Sequence, residues 1–390
     1  MKRTLVTLVA GLAASTSMLT ACGESNDGDG GDDDQPPMDI AGCDGATLLS
    51  SPNDPAQPGP WPVGARTVTI GRLTVEVWYP AMPGSDAGQT PIRYDIRQAL
   101  NPSQRALIPD ADNPWQACDC FRDLPLDAGH GPYPVIVFVH GTAAFRHQSV
   151  SQARHWASRG FVVVAADHPG LMLGDFLAMA CPDDPSGAQD LSGDIDAMLG
   201  ALATPTGPLG FLAGKLDVTR VAVAGHSAGG SAAAGATGKP GVRVVAALAG
   251  GASAADGPAL ERVLFMGGTN DNVVQFSRVT SAWTGSATPR HLVGIGGAGH
   301  LVFSDLCETR NAAGKDLLAI ASDYQLCGAS FAGLLFDCNP EYVGGQVGWD
   351  ITNYATTAAF ESVLHCSTST RGLDSVDDAY AQVESYMEAL

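Results

Sequence analysis

Hydrophobic residues in this chain occur mainly as short uninterrupted runs rich in β-branched side chains, separated by polar or glycine-rich segments. Such runs are typical of strands that are buried on both faces of a sheet. Helix-compatible stretches lie between several of these runs. This alternation predicts an α/β fold with a mainly parallel central sheet and helices on both of its faces. The predicted strands are a hairpin of 67–70 and 73–78, followed by 135–139, 161–166, 218–224, 242–247, 262–266 and 291–295.

Helical spacing of apolar residues continues through the C-terminal part of the chain. Two loop-like segments, 81–130 and 171–192, are predicted to be irregular insertions that carry cysteines. Because no internal repeat is found, residues 43–390 are predicted to form a single domain. The predicted helical segments are 148–158, 193–202, 230–236, 317–320, 354–364 and 376–387.

Residues 1–21 have the pattern of an export signal, since Lys2 and Arg3 precede an apolar stretch. The residues that end at Cys22 resemble a bacterial lipobox, in which this cysteine becomes the first residue of the mature chain and carries the lipid. Residues 22–42 are acidic and rich in glycine and serine, which predicts a flexible tether. We therefore expect an exported bacterial lipoprotein, held at the outer membrane or facing the periplasm or cell surface. The alternative is an ordinary secretory signal with a chance cysteine.

The amino-acid composition limits the kinds of molecule that this protein is expected to bind. Among 390 residues, 41 are acidic and 21 basic, which gives a formal net charge of −20. A surface of this sign repels a phosphate backbone, so nucleic-acid partners are disfavoured. The 45% of hydrophobic residues suffices for a globular core and excludes wholesale disorder. The oligomeric state stays open.

The nine cysteines leave an even eight once Cys22 is set aside. In an exported protein an even set predicts disulfides, here up to four. Cys118 and Cys120 are so close in sequence that disulfide geometry is difficult, and each is expected to reach a distant partner. The remaining connectivity is open, and no metal site is predicted because the cysteines lack zinc spacing.

A G-x-S-x-G motif lies between the predicted strand 218–224 and the helix 230–236. In this strand–turn–helix context the serine occupies the apex of a very tight turn, where flanking glycines avoid Cβ clashes. Ser227 is therefore the predicted nucleophile, and Ser231, inside the helix, is the alternative. The turn consists of Gly225, His226, Ser227, Ala228 and Gly229.

A serine hydroxyl needs a histidine to remove its proton and a carboxylate to orient that histidine. On the fold that carries such a turn, the acid and then the histidine follow the serine along the chain. Asp271 comes just after the strand 262–266, and His300 follows the strand 291–295. They are the predicted acid and base, with Asp305 as the alternative acid.

An oxyanion hole requires two N–H donors aimed at the oxygen that becomes negative. The predicted donors are the amide of Ala228, which follows the nucleophile, and the amide of Thr142, in the loop after the strand 135–139. Gly141 permits the bend of this loop. His140 precedes the serine in the chain and is predicted to support the loop through hydrogen bonds.

Several segments together resemble one superfamily: 77–81 (VWYPA), the loop at 140–141, 165–170 (AADHPG), 225–230 (GHSAGG) and 299–307 (GHLVFSDLC). From about Ala65 onward the chain resembles an α/β-hydrolase, and more narrowly the bacterial group related to platelet-activating-factor acetylhydrolases and predicted dienelactone hydrolases. It is more distantly similar to cutinase-like polyester hydrolases. The resemblance implies an esterase whose triad matches Ser227, Asp271 and His300. Dienelactone hydrolases use cysteine as nucleophile, so the serine departs from that pattern.

The predicted function is hydrolysis of carboxylic esters through an acyl-enzyme, on a small-molecule or lipid-like substrate and without a cofactor. Hydrolysis of lactones, amides or polyesters by the same triad is the alternative. A non-catalytic exported binding protein on the same fold is less favoured, because binding alone does not require an intact triad and glycine turn. Cys307, seven residues after His300, is expected to tether the histidine loop by a disulfide.

Overall fold

The structure is a computed structural model that describes residues 48–181, 185–365 and 372–390. Its centre is a ten-stranded, mostly parallel sheet with helices on both faces. This is the architecture of an α/β-hydrolase, so the predicted fold class is confirmed. Cys22, Cys43 and Cys366 lie outside the described residues.

Twelve strands are present in the described part of the chain, ten of them in the central sheet. They are β1 (Val63–Ile70), β2 (Leu73–Pro80), β3 (Ile92–Tyr94), β4 (Gln116–Cys118), β5 (Phe121–Arg122), β6 (Tyr133–Val139), β7 (Val162–Asp167), β8 (Leu216–His226), β9 (Val242–Leu248), β10 (Arg262–Gly268), β11 (Arg290–Ile295) and β12 (Val383–Ala389). The order across the sheet is β12-β11-β10-β9-β8-β6-β7-β2-β1-β5, and β3 pairs with β4 in a separate two-stranded sheet.

The helices of the described residues differ widely in length. They are α1 (Pro102–Arg105), α2 (Val150–Ser158), α3 (Leu173–Ala178), α4 (Leu191–Ala203), α5 (Ala228–Ala234), α6 (Phe276–Thr284), α7 (Leu317–Asp323), α8 (Ala329–Ala332), α9 (Gly345–Leu364) and α10 (Val376–Ala379). No helix in this part of the chain combines the length and the apolar character needed to cross a bilayer.

The central strands are apolar along their whole length because helices cover both faces of the sheet. All seven residues of β6 are buried. Ile136 and Phe138 pack in the core with α2 and α9, whereas Val135 and Val137 pack in the opposite core with α4 and α6. Strands β6 to β11 pair in parallel, so their carboxyl ends share one edge of the sheet.

One predicted helix is wrong. The segment 376–387 forms only the short α10 before the chain becomes β12, which pairs antiparallel with β11 at the sheet edge. Helical spacing of Val376, Tyr380 and Val383 competes here with alternation of β-forming residues. The free backbone edge of β11 decides the outcome, because pairing satisfies its N–H and C=O groups.

The two insertions contain short helices and strands. Three disulfides are present among the described residues: two involve cysteines of the insertions, and the third lies beside the loop of His300. Cys118 bonds to Cys120, Cys181 to Cys327, and Cys307 to Cys338. The expectation that Cys118 and Cys120 reach distant partners is therefore wrong. The chain bends between β4 and β5, which brings their Cα atoms to 5.1 Å, within disulfide range.

Candidate active site

Ser227 lies at the point where β8 ends and α5 begins. Its φ of 59° falls in the left-handed region, which costs of order 1–3 kcal/mol for a non-glycine residue. A Cβ at Gly225 would lie 2.3 Å from the carbonyl oxygen of Gly229, and one at Gly229 would lie 2.1 Å from that of Val139. The two flanking positions therefore exclude any side chain, and this close packing forces the serine to the apex.

Ser227 as a residue is partly exposed, and it carries its hydroxyl at the carboxyl edge of the sheet. No described residue forms a hydrogen bond with it, so the structure does not join this oxygen to an imidazole. Its neighbour His226 has its ring centroid 4.6 Å from that of His300. Hydrogen bonds between a nucleophile and its base are often loose in unliganded enzymes and tighten when substrate binds.

Asp271 and His300 form a buried pair. The Nδ1–H of His300 donates to Oδ2 of Asp271 over 2.8 Å, and both side chains are at most 3% exposed. The other carboxylate oxygen accepts the amides of Val273 and Val274 at 2.8 and 2.7 Å. This network assigns the proton to Nδ1 and leaves Nε2 of His300 as the basic nitrogen.

The loops that carry these two residues follow the adjacent parallel strands β10 and β11. They are joined by two backbone hydrogen bonds, from Thr269 N to Ile295 O at 3.0 Å and from Asn270 N to Ala298 O at 2.9 Å. Gly268 permits this approach, since a Cβ there would lie 2.3 Å from the Ala298 oxygen. The pairing of Asp271 with His300 thus rests on strand order rather than on sequence proximity.

The loop after β6 packs against the serine turn. A Cβ on Gly141 would lie 3.2 Å from Cβ of Ser227, which places the loop of Thr142 beside the nucleophile position. Thr142 and Ala228 are both partly exposed, and neither amide donates a hydrogen bond to a described residue. Two such free donors on either side of a serine can stabilise an oxyanion.

His140 has the supporting position that the sequence predicts. Its Nδ1 donates to the Gly141 carbonyl at 2.7 Å, and its Nε2 accepts the amide of His168 at 3.2 Å. Burial, reinforced by the neighbouring His168, lowers the pKa of His140 to about 3. It therefore stays neutral and holds the loop, rather than exchanging protons with substrate.

Asp305, the alternative acid, is engaged elsewhere. Its carboxylate accepts the backbone amide of Ser151 at 3.1 Å and the side-chain amide of Gln116 at 2.9 Å, so it caps α2. Burial raises the pKa of Asp305 to about 6 despite these hydrogen bonds. His300 already has its carboxylate partner in Asp271.

Two residues that contact the site have no signature in the sequence. Asp337 accepts the amides of both His300 and Asn272, each at 3.3 Å, and its neighbour Cys338 bonds to Cys307. Gln148 is fully buried between the loop after β6 and the serine turn. Neither belongs to a recognisable motif, and only a long-range contact map could have found them.

The sheet order and the two helix layers define an α/β-hydrolase fold. The strained Ser227 lies between β8 and α5, which is where a G-x-S-x-G turn lies on this fold. A family model described as platelet-activating factor acetylhydrolase, isoform II, matches residues 113–170. The matched segment includes Thr142 but ends before Ser227. It supports a relation to α/β-hydrolases of the platelet-activating-factor acetylhydrolase type. No curated protein matches the chain.

Proposed function

We propose that this protein is a serine hydrolase that cleaves carboxylic esters. Ser227 attacks the acyl carbon and His300 Nε2 accepts its proton. Asp271 holds the imidazole in the required tautomer and stabilises the imidazolium that forms. The amides of Thr142 and Ala228 stabilise the negative oxygen of the tetrahedral intermediate.

Protons and bonds balance over two half-reactions. The imidazolium returns the proton to the leaving alcohol as the ester C–O bond breaks, which leaves an acyl group on Ser227. Water then attacks the acyl carbon while His300 accepts one of its protons. Collapse of the second intermediate releases the carboxylic acid and restores the hydroxyl of Ser227.

The observation that carries the proposal is the buried hydrogen bond between Asp271 and His300 at the same sheet edge as the serine turn. A carboxylate that accepts two backbone amides and one imidazole N–H cannot rotate away. This fixed carboxylate holds the imidazole of His300 in the orientation and tautomer that a general base requires.

A short acyl group is the substrate class that we propose first. The matching family model is described as an acetylhydrolase. An apolar cavity of about 60 Å³ lies between the two insertions and α7 and α8. Leu173 lines it and donates its amide to the carbonyl of Ala144, two residues past Thr142. The described residues that line this cavity do not include the serine turn, the loop 140–143 or His300, so the preference for acetyl or butyryl esters rests on the description of the family model.

We also propose that the protein acts outside the cytoplasm as a lipid-anchored enzyme. The support comes from the apolar stretch after Lys2 and Arg3 and from the lipobox-like residues before Cys22. Anchoring at a membrane would give the site access to lipid-like esters.

The test is a p-nitrophenyl ester assay on the purified protein with Ser227→Ala beside it. We expect acetate and butyrate esters to be hydrolysed at least about tenfold faster than the decanoate, and Ser227→Ala to lose about three to six decades in kcat/KM. Ser231→Ala is the matched control, because this serine lies one turn further along α5 and only accepts the amide of Gly251 at 3.1 Å. An active Ser227→Ala variant would refute the proposal.

A further inference from the structure

We propose that Gln148 is a positioning residue that holds the oxyanion loop, the serine turn and the histidine loop in register. The inference rests on the proposed function and goes beyond it, because it assigns a role to a side chain that contacts none of the reacting atoms. Gln148 is 0% exposed and lies just before α2.

The side-chain amide of Gln148 makes two short hydrogen bonds whose directions are fixed by chemistry, and Nε2 makes a third, longer one to the neighbouring Ser149 hydroxyl at 3.4 Å. The amide of Gly141 can only donate, so its partner at 2.8 Å is Oε1 of Gln148. Nε2 of Gln148 is therefore the donor to Nδ1 of His226 at 3.0 Å. With Nδ1 accepting, His226 is protonated at Nε2, and this nitrogen donates to the carbonyl of His300 at 2.9 Å.

The result is a chain of three hydrogen bonds through the buried interior. It begins at the amide of Gly141, passes through the ring of His226 and ends at the backbone carbonyl of His300. The three segments follow different strands, β6, β8 and β11. Strands β6 and β8 are paired up to Val139 and Gly225, whereas β11 is separated from β8 by two strands. Within the part of the chain that the structure describes, Gln148 is the side chain that bonds to the first two segments directly and to the third through His226.

The backbone around Gln148 strengthens the same connection. The carbonyl of Gln148 accepts the amide of Asp305 at 3.0 Å, and the hydroxyl of Ser149 donates to the carbonyl of Phe303 at 2.9 Å. The start of α2 and the residues after His300 are thus held together. A shift of Gln148 would move the oxyanion donors and the base relative to the serine at the same time.

His226 must be neutral for this chain to form, because a protonated Nδ1 would face the N–H of Gln148. Burial lowers the pKa of His226 well below its usual range, and the nearby His300 and His140 reinforce the shift. These two imidazoles, with the amide of Gln148, are the polar groups that face the ring from the three loops.

The first test compares Gln148→Met with Gln152→Met, assayed as kcat and KM on the butyrate ester well below the melting temperature of each variant. Methionine keeps the volume but removes both hydrogen bonds. Gln152 is the matched control, since it is equally buried, lies four residues further on, and makes only a local bond with Ser151. We expect about a 100-fold loss of kcat for Gln148→Met, with KM within threefold of the wild type, because misplaced donors act on the transition state.

The second test uses Gln148→Glu, which also serves if the methionine variant does not fold. Its carboxylate can still accept the Gly141 amide, but it accepts from Nδ1 of His226 only when that nitrogen carries a proton. When the ring of His226 is protonated, it donates both to this carboxylate and to the carbonyl of His300. Loss of a ring proton at higher pH leaves a nitrogen lone pair facing a lone pair of one of these two oxygens. The ratio of variant to wild-type kcat is therefore expected to fall at least about tenfold between pH 6 and pH 9.

A purely structural role predicts different results. Equal kcat for Gln148→Met and Gln152→Met, or a Gln148→Glu ratio that does not change with pH, would overturn the inference while the wild-type and Ser227→Ala results leave the proposed function standing. If the wild type shows no turnover that depends on Ser227, the proposed function fails and this inference fails with it.

Discussion

The substitution Asp271→Asn tests the central pair of the site most directly. Oδ1 of Asp271 accepts two backbone amides, from Val273 and Val274, and Oδ2 accepts Nδ1–H of His300. The asparagine oxygen is needed by the two backbone donors, so the new NH₂ group must face His300. Two donors would then oppose each other, and the imidazole can relieve this only by moving its proton to Nε2.

The magnitude follows from that change of tautomer. A proton on Nε2 blocks removal of the proton from Ser227, and the carboxylate that stabilised the imidazolium is gone. Loss of the correct tautomer in a site of this kind costs about four decades in kcat, or about 5 kcal/mol of transition-state stabilisation. Because the side-chain volume is unchanged and the backbone donors stay satisfied, we expect the free energy of unfolding to change by less than about 1 kcal/mol.

The assay is kcat/KM on the butyrate ester from pH 5 to pH 10, with thermal unfolding of the same samples. Asp305→Asn is the matched control, because Asp305 is a buried carboxylate in the same region that caps α2. We expect this control to retain activity within about tenfold. Retention of more than one tenth of wild-type activity by Asp271→Asn would contradict this role of Asp271, and so would a loss of four decades in Asp305→Asn instead.

Three further predictions concern packing, redox state and pH. Gly229→Ala places a Cβ 2.1 Å from a backbone carbonyl of β6, so we expect urea unfolding to show a loss of about 3 kcal/mol or more of stability. The control Gly235→Ala has its nearest atom at 3.4 Å and should change stability by less than about 1 kcal/mol. Equal losses in the two variants would contradict the close packing of the turn. The double variant Cys307→Ser, Cys338→Ser removes a disulfide that closes a loop with a sequence separation of 31, so we expect a loss of activity and of about 3 to 4 kcal/mol of stability. Unchanged turnover would show that this disulfide does not tether the loop of His300. Because the folded pKa of Asp305 is about 6, above its usual 3.8, the native state retains a proton that the unfolded chain releases. Stability should therefore fall by about 3 kcal/mol as pH rises from about 3 to about 7, with about 2 kcal/mol of that loss between pH 4 and pH 6, and Asp305→Asn should remove this slope in pH-dependent denaturation.

The strands of the central sheet were predictable because their signal is local. An apolar run of β-branched residues such as that of β6 can be buried only between two helix layers. The serine turn was predictable because its glycine motif is local in sequence, and the clash that a Cβ at Gly225 would make is with Gly229 of the same turn. The clash at Gly229 is with Val139 of β6, which only the folded sheet brings there. The order of Ser227, Asp271 and His300 along the chain then limited the candidate site.

Other features depended on contacts between distant segments. The apolar residues around β12 are spaced as in a helix, but this segment forms a strand because it pairs with the edge of β11. In the sequence, Asp271 and Asp305 were both plausible partners for His300. The pairing of β10 with β11 brings Asp271 to His300, whereas Asp305 caps α2.

Side-chain periodicity thus determined the α/β architecture, and the glycines around Ser227 indicated the turn, since both signals lie in residues that are neighbours along the chain. The tertiary structure alone decided the bond from Cys118 to Cys120, the clamp of Asp337 on two loops and the burial of Gln148 between three segments. The hydrogen bonds of Asp337 and Gln148 join segments that are distant in sequence, and these partners meet only when the strands take their places in the sheet.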